Sequence, residues 1–406
     1  MSFVTHLECA NCGQRHDAGQ VQNLCTACQR PLWVRYDLAA LKRVFTKQSL
    51  LGRPPTLWRY LEMLPVRNQA DIVSLGETIT PILETKRLAA EFGLKGLFVK
   101  DESRLPTGSF KSRGMALAIS KAKEFGIKRV AVPTAGNAGG AAAIYAARAG
   151  MEAYVFMPDD TPAINKKECL LAGARTFLVN GLITDCGRIV NEGKAVKGWF
   201  DLSTLKEPYR LEGKKTLGLE IAEQFDWSLP DVILYPTGGG TGLIGMWKAF
   251  AELEALAWLN SPKKPRMIAC QSDGCAPIVR AFEQGERFAK PFENASTIAS
   301  GLRVPAAVGD FMILDAVRQS GGLALSAPEK EIFKWMQLAS VKEGLALCPE
   351  TAICLGALER LVARGVIQAE ERVLLVNTGA AQKYPEIIPE PLLRIDITQP
   401  INWSAV

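Results

Sequence analysis

The chain has 406 residues, 48% hydrophobic and 22% charged, which is the mixture of an ordinary folded protein. Its net charge of +6 is not concentrated in any block of Lys and Arg, which argues against nucleic-acid binding. No basic segment followed by an apolar run opens the sequence, and no stretch reaches the roughly 18 apolar residues of a membrane span. We therefore expect a cytoplasmic protein without membrane contact, built from two or three units.

Four of the ten cysteines lie close together near the start, as two Cys-x2-Cys pairs. These are Cys9 with Cys12, and Cys25 with Cys28. Two such pairs can place four thiolates tetrahedrally around one Zn²⁺ ion, and a segment of about thirty residues needs a metal to supply its folding energy. We predict a structural zinc-ribbon-like module over residues 1–35. A decayed ribbon without metal, or a fortuitous grouping of cysteines, would give the same spacing.

From about Thr80 onward, apolar runs alternate with segments of helical periodicity. The predicted strands cover 128–133, 153–158, 175–179, 231–236, 266–271 and 372–379. Predicted helices include 138–150, 161–172 and 243–257. Strands separated by helices form βαβ units, so the pattern predicts an α/β fold whose parallel sheet is covered on both faces. In such folds ligands bind beyond the carboxyl ends of the strands, which makes the loops after the strands the candidate site.

Both histidines of the chain, His6 and His16, fall within the cysteine module. The α/β body therefore has no histidine to act as a general base, which excludes Ser-His-Asp and Cys-His catalysis there. It also lacks an H-E-x-x-H sequence, a P-loop and a well-formed G-x-G-x-x-G after a strand. Chemistry in this body must then depend on a lysine, a carboxylate or a cofactor.

Three loops carry residues suited to holding a cofactor. Residues 107–114 (Thr-Gly-Ser-Phe-Lys-Ser-Arg-Gly) place Lys111 at a helix start, where the positive helix end and burial lower the pKa of the amine. Residues 134–140 (Thr-Ala-Gly-Asn-Ala-Gly-Gly) offer Asn137 as an uncharged amide. The run from Gly238 to Gly242 is typical of a phosphate cradle at a helix N-terminus. Taken alone, the first two loops also fit a solvated lysine and a tight turn.

Taken together and in this order, the loops resemble those of pyridoxal-phosphate (PLP) enzymes of fold type II, the tryptophan-synthase β type. The resemblance extends from about Leu75 to Tyr384 and is strongest to threonine synthases. Within the first loop, Gly-Ser-Phe-Lys-Ser-Arg-Gly at 108–114 supports it. Two further stretches add to this: Arg-Leu-Glu-Gly-Lys-Lys-Thr at 210–216 and Asn-Thr-Gly at 377–379.

The resemblance implies an architecture of two α/β domains with the cofactor in the cleft between them, preceded by the zinc-ribbon-like module. The small domain is expected at 106–205, and the large PLP-binding domain at 36–105 and 206–406. Homodimers are common among such enzymes, so a homodimer is also expected.

The resemblance further assigns a role to each loop. Lys111 would carry the cofactor as a Schiff base and then shuttle protons, and Asn137 would face the phenolic oxygen. The backbone of Gly238, Gly239, Gly240, Thr241 and Gly242 would hold the phosphate. Thr378 would contact the pyridine nitrogen, and a neutral hydroxyl there suits elimination and replacement at the β and γ carbons.

The implied reaction converts O-phosphohomoserine and water to threonine and phosphate, so the expected partner is a small amino-acid substrate. Arg210 is the predicted ligand of the substrate phosphate because a guanidinium binds phosphate with two hydrogen bonds. Ser203, Thr134 and Lys215 are further substrate candidates. A structural ion pair between Arg210 and Glu212 or Glu220 is the alternative.

The asparagine loop departs from the usual threonine synthase pattern, Ser-Thr-Gly-Asn-Thr. Here Ala135 and Ala138 replace two residues whose hydroxyls typically face the substrate. Three alternatives therefore stay open. They are a serine/threonine dehydratase (an ammonia-lyase), a phosphoserine-dependent β-replacement synthase and a PLP-bound regulatory protein without enzymatic activity.

Overall fold

The computed structural model describes residues 2–389, 392, 394–401 and 403–405, and within these ranges the chain forms three β-sheets. The first and last predicted segments, 1–35 and 206–406, therefore include positions outside the described residues: Met1, Glu390, Pro391, Leu393, Asn402 and Val406. No helix in the described ranges is both long enough and apolar enough to cross a bilayer.

The strands are, in chain order, β1 (Val4–Cys9), β2 (Arg15–His16), β3 (Leu32–Tyr36), β4 (Ile82–Glu84), β5 (Gly96–Asp101), β6 (Arg129–Pro133), β7 (Glu152–Pro158), β8 (Arg175–Val179), β9 (Phe200–Asp201), β10 (Val232–Pro236), β11 (Arg266–Ser272), β12 (Leu323–Ala327) and β13 (Arg372–Asn377). The α-helices are α1 (Leu38–Val44), α2 (Lys86–Glu91), α3 (Lys111–Glu124), α4 (Asn137–Arg148), α5 (Ala163–Leu171), α6 (Ile183–Lys197), α7 (Tyr209–Gln224), α8 (Thr241–Ala255), α9 (Pro277–Glu283), α10 (Asp310–Gln319), α11 (Ile332–Glu343) and α12 (Pro349–Ala363).

The N-terminal module is a small antiparallel sheet in the order β2-β1-β3. Its inner face is apolar, because Leu7 and Val34 lie opposite each other and are fully buried. Strand β3 also docks on the main body: Lys248 Nζ donates to the Val34 carbonyl at 2.7 Å, and Tyr36 Oη donates to Glu212 Oε2 at 2.6 Å. The module is thus joined to helices α7 and α8 by buried polar contacts as well as by apolar packing.

A six-stranded sheet in the order β12-β11-β10-β13-β5-β4 forms the centre of the main body. All neighbouring strands are parallel except β4, which runs antiparallel to β5. The central strand β10 is an unbroken buried run because both faces of the sheet are covered by helices. This explains why β10 and its neighbour β13 are recognisable in the sequence as continuous apolar segments.

A second, parallel sheet has the order β8-β7-β6-β9, and its four strands all come from the segment 129–201. The six strands and three helices predicted in the α/β body are confirmed to within about two residues at each end. Strands β4, β5, β9 and β12 were not among the predictions. The domain boundaries at 106 and 205 stay a proposal. In its favour, the strands of the four-stranded sheet all lie within 106–205, and those of the six-stranded sheet all lie outside it.

Helices α3 and α7 cross closely at Gly114 and Gly213 and at a buried ionic cluster. A Cβ atom on Gly213 would lie 2.0 Å from the Arg113 carbonyl oxygen, so the helices can approach only without a side chain there. Arg113 Nη1 donates to Glu220 Oε1 at 2.6 Å, and Lys100 Nζ lies 2.8 Å from Glu220 Oε2. Removing one partner of such a buried group costs about 3–5 kcal/mol. The cluster therefore fixes the position of α3, whose first residue is Lys111.

Candidate active site

A cavity of about 490 Å³ lies beyond the carboxyl ends of both parallel sheets. Its walls are the loops that follow β6, β9, β10 and β13, the starts of α3 and α12, part of α6 and residues of the segment 300–308. Most of the predicted site residues meet on these walls: Lys111, Thr134, Asn137, Ser203, Gly238, Gly239, Gly240, Thr241 and Thr378. Gly242 and Arg210 are not among the residues that line the cavity.

Lys111 is the first residue of α3 and follows a short turn in which Thr107 and Gly108 both have a φ of 60°. Its ammonium nitrogen lies 4.3 Å from the centre of the Phe110 ring. Burial, and then the positive charge of Arg210, lower the pKa of Lys111 to about 8, while Glu350 opposes the shift. A lysine with such a pKa is partly neutral near physiological pH, which a nucleophilic amine requires.

Asn137 is the first residue of α4 and presents an amide to the cavity. Its Oδ1 atom is buried and has no hydrogen-bond partner within the described part of the chain. Its Nδ2 atom lies 3.5 Å from Tyr384 Oη. Because an unpaired buried polar atom is costly, this amide fits a ligand that completes its hydrogen bonding.

Thr134 lines the same wall, but its hydroxyl is occupied by the backbone of the asparagine loop. Thr134 Oγ1 accepts hydrogen bonds from the N–H groups of Gly136 at 3.0 Å and Gly139 at 3.2 Å. It donates to the Gly136 carbonyl at 2.8 Å. These contacts give Thr134 a role in shaping the loop, and its assignment to the substrate stays a prediction.

The glycine loop between β10 and α8 is shaped so that side chains are excluded. Gly240 has a φ of 70°, and a Cβ atom there would lie 2.2 Å from Ile313 Cγ1. A Cβ on Gly238 would lie 2.4 Å from the Gly301 carbonyl oxygen, and one on Gly242 would lie 1.9 Å from Tyr235 Oη. The loop leads into the N-terminus of α8, where unpaired N–H groups favour an anion. This arrangement fits the phosphate of PLP.

Thr378 follows β13 on the cavity wall and contacts Cys348 and Thr351. Its Oγ1 atom lies 3.6 Å from the Cys348 sulfur, and its backbone N–H donates to Thr351 Oγ1 at 3.1 Å. Burial raises the pKa of the Cys348 thiol to about 12, so the thiol stays protonated at neutral pH. A pyridine nitrogen facing Thr378 would therefore meet a neutral hydroxyl, and this role of Thr378 stays a prediction.

Arg210 and Ser203 are both held by the protein itself. The Arg210 guanidinium donates to the Leu202 carbonyl, and the Ser203 hydroxyl donates to Asp201. Arg210 forms an ion pair with neither of the two predicted partners. Glu220 is occupied by Arg113 and Lys100, and Glu212 by Lys215 and Lys248. The phosphate-binding role of Arg210 thus stays a prediction without a direct contact to the cavity, and Lys215 lies fully buried in the Glu212 cluster.

Several polar residues of the cavity wall were missed in the sequence analysis, among them Arg188, Asn191, Lys206 and Glu350. Arg188 and Asn191 belong to α6, which carries no recognisable motif. Glu350 is the second residue of α12 and follows a proline, a common helix start. Lys206 stands shortly after a strand and Glu350 at a helix start, positions that many surface residues share.

The four N-terminal cysteines come together as predicted, with all their sulfur atoms within 4.8 Å of one another. The sulfur atoms of Cys9 and Cys28 are 3.4 Å apart, and those of Cys12 and Cys25 are 3.7 Å apart. The N–H groups of Asn11 and Cys12 both donate to the Cys9 sulfur at 3.4 Å. Four converging sulfur atoms suit a tetrahedral metal ion, and the cluster is able to hold one.

Comparison with known proteins bears on this geometry. A family described as pyridoxal-phosphate dependent enzyme matches residues 73–379. The chain is also 34% identical over 379 residues to a threonine synthase of Methanocaldococcus jannaschii, covering 93% of each chain. This chain belongs to the pyridoxal-phosphate-dependent enzyme family. A threonine synthase of Methanosarcina acetivorans is 35% identical over 384 residues, covering 94% of this chain and 93% of that one. The resemblance predicted from the loops is confirmed.

A solved structure shows the same fold. Diaminopropionate ammonia lyase from Escherichia coli superposes with a TM-score of 0.67 at 21% identity, covering 79% of this chain and 92% of that chain. The predicted fold type II architecture is confirmed. PLP, the cofactor of the family, fits the unpaired Asn137 amide and the glycine loop described above.

Proposed function

We propose that this member of the family is a threonine synthase, a carbon–oxygen lyase acting on a phosphate ester. It would convert O-phosphohomoserine and water to threonine and phosphate. The observation that carries the proposal is the convergence of Lys111, Asn137, the glycine loop and Thr378 on one cavity. Similarity to two threonine synthases over more than nine-tenths of the chain supports the choice of reaction.

Each wall of the cavity would hold one edge of PLP. Lys111 would bind it covalently, and Asn137 Nδ2 would donate a hydrogen bond to the phenolic oxygen. The N–H groups between Gly238 and Gly242 would hold the phosphate, and the Thr378 hydroxyl would face the ring nitrogen. When bound, PLP withdraws electrons from the amino-acid carbon skeleton, so that the protons at Cα and Cβ become removable.

The protein's own contribution to the proton transfers is centred on Lys111 Nζ. A pKa of about 8 lets this nitrogen both accept and release protons near neutral pH. Lys214 Nζ donates to the Phe110 carbonyl, next to Lys111 in the chain, and thereby fixes the backbone from which Lys111 extends. The base is thus held by a rigid helix start.

The substrate phosphate needs a cation on the cavity wall. Arg188 and Lys206 both line the cavity. Arg188 forms ion pairs with Glu192 at 3.4 Å and Asp185 at 4.0 Å, whereas Lys206 has no ion pair with a described residue. We therefore propose Lys206 as the principal phosphate ligand, with Arg210 contributing positive charge without lining the cavity.

One Zn²⁺ ion bound by Cys9, Cys12, Cys25 and Cys28 is also part of the proposal. Its role would be structural, because four thiolates fill a tetrahedral site and leave no open position for catalysis. The expected homodimer and the cytoplasmic location stay predictions. A mass measurement in solution decides the first.

A serine/threonine dehydratase is the second candidate. Ala135 and Ala138 both line the cavity and offer no hydroxyl to an anionic substrate. A dehydratase substrate carries no phosphate and would need fewer polar contacts on this wall. The β-replacement and regulatory alternatives have no observation of their own in their favour.

The deciding experiment is a substrate panel on PLP-loaded protein. Release of inorganic phosphate and formation of threonine from O-phosphohomoserine are expected, together with loss of both in Lys111→Ala. If serine or threonine yields ammonia and a keto acid while O-phosphohomoserine yields no phosphate, the dehydratase replaces the synthase.

A further inference from the structure

Glu350 is the one acidic side chain on the cavity wall formed by the described residues. It lies at the start of α12, and only 4% of its surface is exposed. The charged side chains that share the wall with it are all cationic: Lys111, Arg188 and Lys206. A single buried carboxylate among cations is the part of this site to which the proposed reaction assigns no role.

One oxygen of Glu350 is held firmly by the protein. Oε1 accepts a hydrogen bond from Tyr384 Oη at 2.6 Å and another from the Gly301 N–H at 2.9 Å. A Cβ atom on Gly301 would lie 2.8 Å from Oε1, so the close approach depends on that glycine. The carboxylate therefore has a fixed orientation before any ligand arrives.

The other oxygen of Glu350 has no hydrogen-bond partner in the part of the chain that the structure describes. Oε2 is buried and accepts no hydrogen bond from any described residue. Leaving a charged acceptor buried and unpaired costs more than leaving a neutral one, so the arrangement calls for a donor from a ligand. A cationic N–H group is the donor that a carboxylate binds most strongly.

The position of Glu350 narrows the choice of donor. Its charge acts on Lys111, whose pKa it raises against the effects of burial and Arg210. Tyr384, which donates to Glu350, also lies 3.5 Å from Asn137 Nδ2. An amino-acid substrate must bring its amine to the place of the Lys111 nitrogen, so the residue that receives the ammonium must lie beside Lys111.

We infer that Glu350 Oε2 binds the α-ammonium group of the incoming amino-acid substrate and holds it beside Lys111. The inference rests on the proposed function only in requiring an amino-acid substrate. The charges of the wall are complementary to such a ligand: Glu350 receives the ammonium, and Lys206 and Arg188 receive the anionic groups. The contact is a binding contact, made before any bond to the cofactor changes.

The test compares Glu350→Gln with the wild type after borohydride reduction of the PLP-loaded protein, which prevents exchange of the Lys111 nitrogen. Calorimetry then gives the Kd for O-phosphohomoserine, for serine and threonine, and for the O-phosphohomoserine analogue in which hydrogen replaces the α-amino group. We expect amino acids to bind about 10- to 100-fold more weakly to Glu350→Gln, with the analogue unchanged within about twofold. Glu350→Asp, which keeps the charge, should restore part of the affinity.

Glu359→Gln is the matched control, because Glu359 lies on the same helix and contacts Lys334 and Trp335 away from the cavity. Thermal unfolding and the visible spectrum of the unreduced protein are measured for every variant. If Glu350→Gln does not fold, Glu350→Asp carries the comparison, with a smaller loss expected for the amino acids alone.

Equal Kd values in the wild type and the variant, or an equal loss for the amino acid and its analogue, would overturn the inference. A shifted spectrum without any change in Kd would also overturn it, since Glu350 would then serve the cofactor. If the wild type binds serine or threonine but not O-phosphohomoserine, the proposed synthase fails, and the inference is decided on the amino acid that binds. If no amino acid binds, both fail.

Discussion

The ammonium nitrogen of Lys111 lies 4.3 Å from the centre of the Phe110 ring. Burial and the charge of Arg210 lower the pKa of this amine to about 8, and only the neutral amine attacks an aldehyde. The rate at which cofactor-free protein captures PLP should therefore rise about tenfold per pH unit below pH 8 and level off above it. Stopped-flow absorbance measures this rate.

The sign of the pH effect follows from the direction of the pKa shift. A lowered pKa means that Lys111 loses its proton at a lower pH than a solvated lysine, so the plateau is reached early. Lys111→Ala should show no covalent capture of PLP at any pH. A rate that continues to rise beyond about pH 10, where an ordinary lysine titrates, would contradict the shift.

Gly242 should tolerate no side chain. A Cβ atom there would lie 1.9 Å from Tyr235 Oη, and Tyr235 is itself buried. Gly242→Ala should displace the first turn of α8, weaken PLP binding by at least about tenfold and lower the free energy of unfolding by about 1–3 kcal/mol. Equilibrium dialysis and denaturant unfolding measure the two effects.

Gly187→Ala is the matched control for this substitution. Gly187 also lines the cavity, but a Cβ atom on it would meet nothing within 4 Å. Because Gly187 is inside α6, alanine should raise the free energy of unfolding by up to about 1 kcal/mol and leave the Kd for PLP unchanged. A similar loss of PLP affinity in both variants would show that the glycine loop does not hold the cofactor.

The loops of the site were predictable because most of them follow recognisable strands and all contain residue types suited to binding a cofactor. Lys111, Asn137 and the glycine run each stand at a helix start, and the parallel sheets bring those starts together. The sequence could not show the direction of a side chain. Arg210 has the chemistry of a phosphate ligand, yet its guanidinium is turned to the Leu202 carbonyl. Glu350 was missed because it acquires its role only through contacts with Gly301 and Tyr384, which are distant in sequence.

Short elements were also beyond sequence prediction. Strand β9 has only two residues, and β4 has three, too few for a periodic pattern. Their positions depend on pairing with β6 and β5, which are recognised only in three dimensions. By contrast, the buried strand β10 carries its own signal, because every one of its residues is apolar.

Lys206 and Arg210 should respond differently to removal of their charge. Lys206→Met should raise the KM for O-phosphohomoserine about tenfold or more and change kcat little, because the lost contact is to a group bound in both ground and transition state. Arg210→Met should instead lower the free energy of unfolding by about 1–3 kcal/mol, since the Leu202 carbonyl loses its donor. Steady-state kinetics and denaturant unfolding separate the two.

Arg210→Met has a second expected effect. Removing its positive charge should raise the pKa of Lys111, so the plateau of PLP capture should move to higher pH. In Lys206→Met the plateau should stay in place. A large KM increase in Arg210→Met with wild-type stability would restore Arg210 as the direct phosphate ligand.

The cysteine cluster should bind one metal ion that stabilises the main body as well as the module. Cys9→Ser/Cys12→Ser removes two of the four sulfur ligands and should abolish stoichiometric zinc, as measured by metal analysis. Strand β3 donates and accepts buried hydrogen bonds with Glu212 and Lys248. Loss of the metal should therefore loosen α7, lower the unfolding temperature and weaken PLP binding.

Cys186→Ser is the control, because Cys186 is buried in α6 and takes no part in the cluster. Its zinc content should equal that of the wild type even if its stability falls. Tyr36→Phe removes only the hydrogen bond to Glu212 and should keep the metal while losing part of the stability and PLP affinity. Full PLP affinity in the metal-free double variant would show that the module folds independently of the site. Loss of affinity in both the double variant and Tyr36→Phe would establish that β3 transmits the effect.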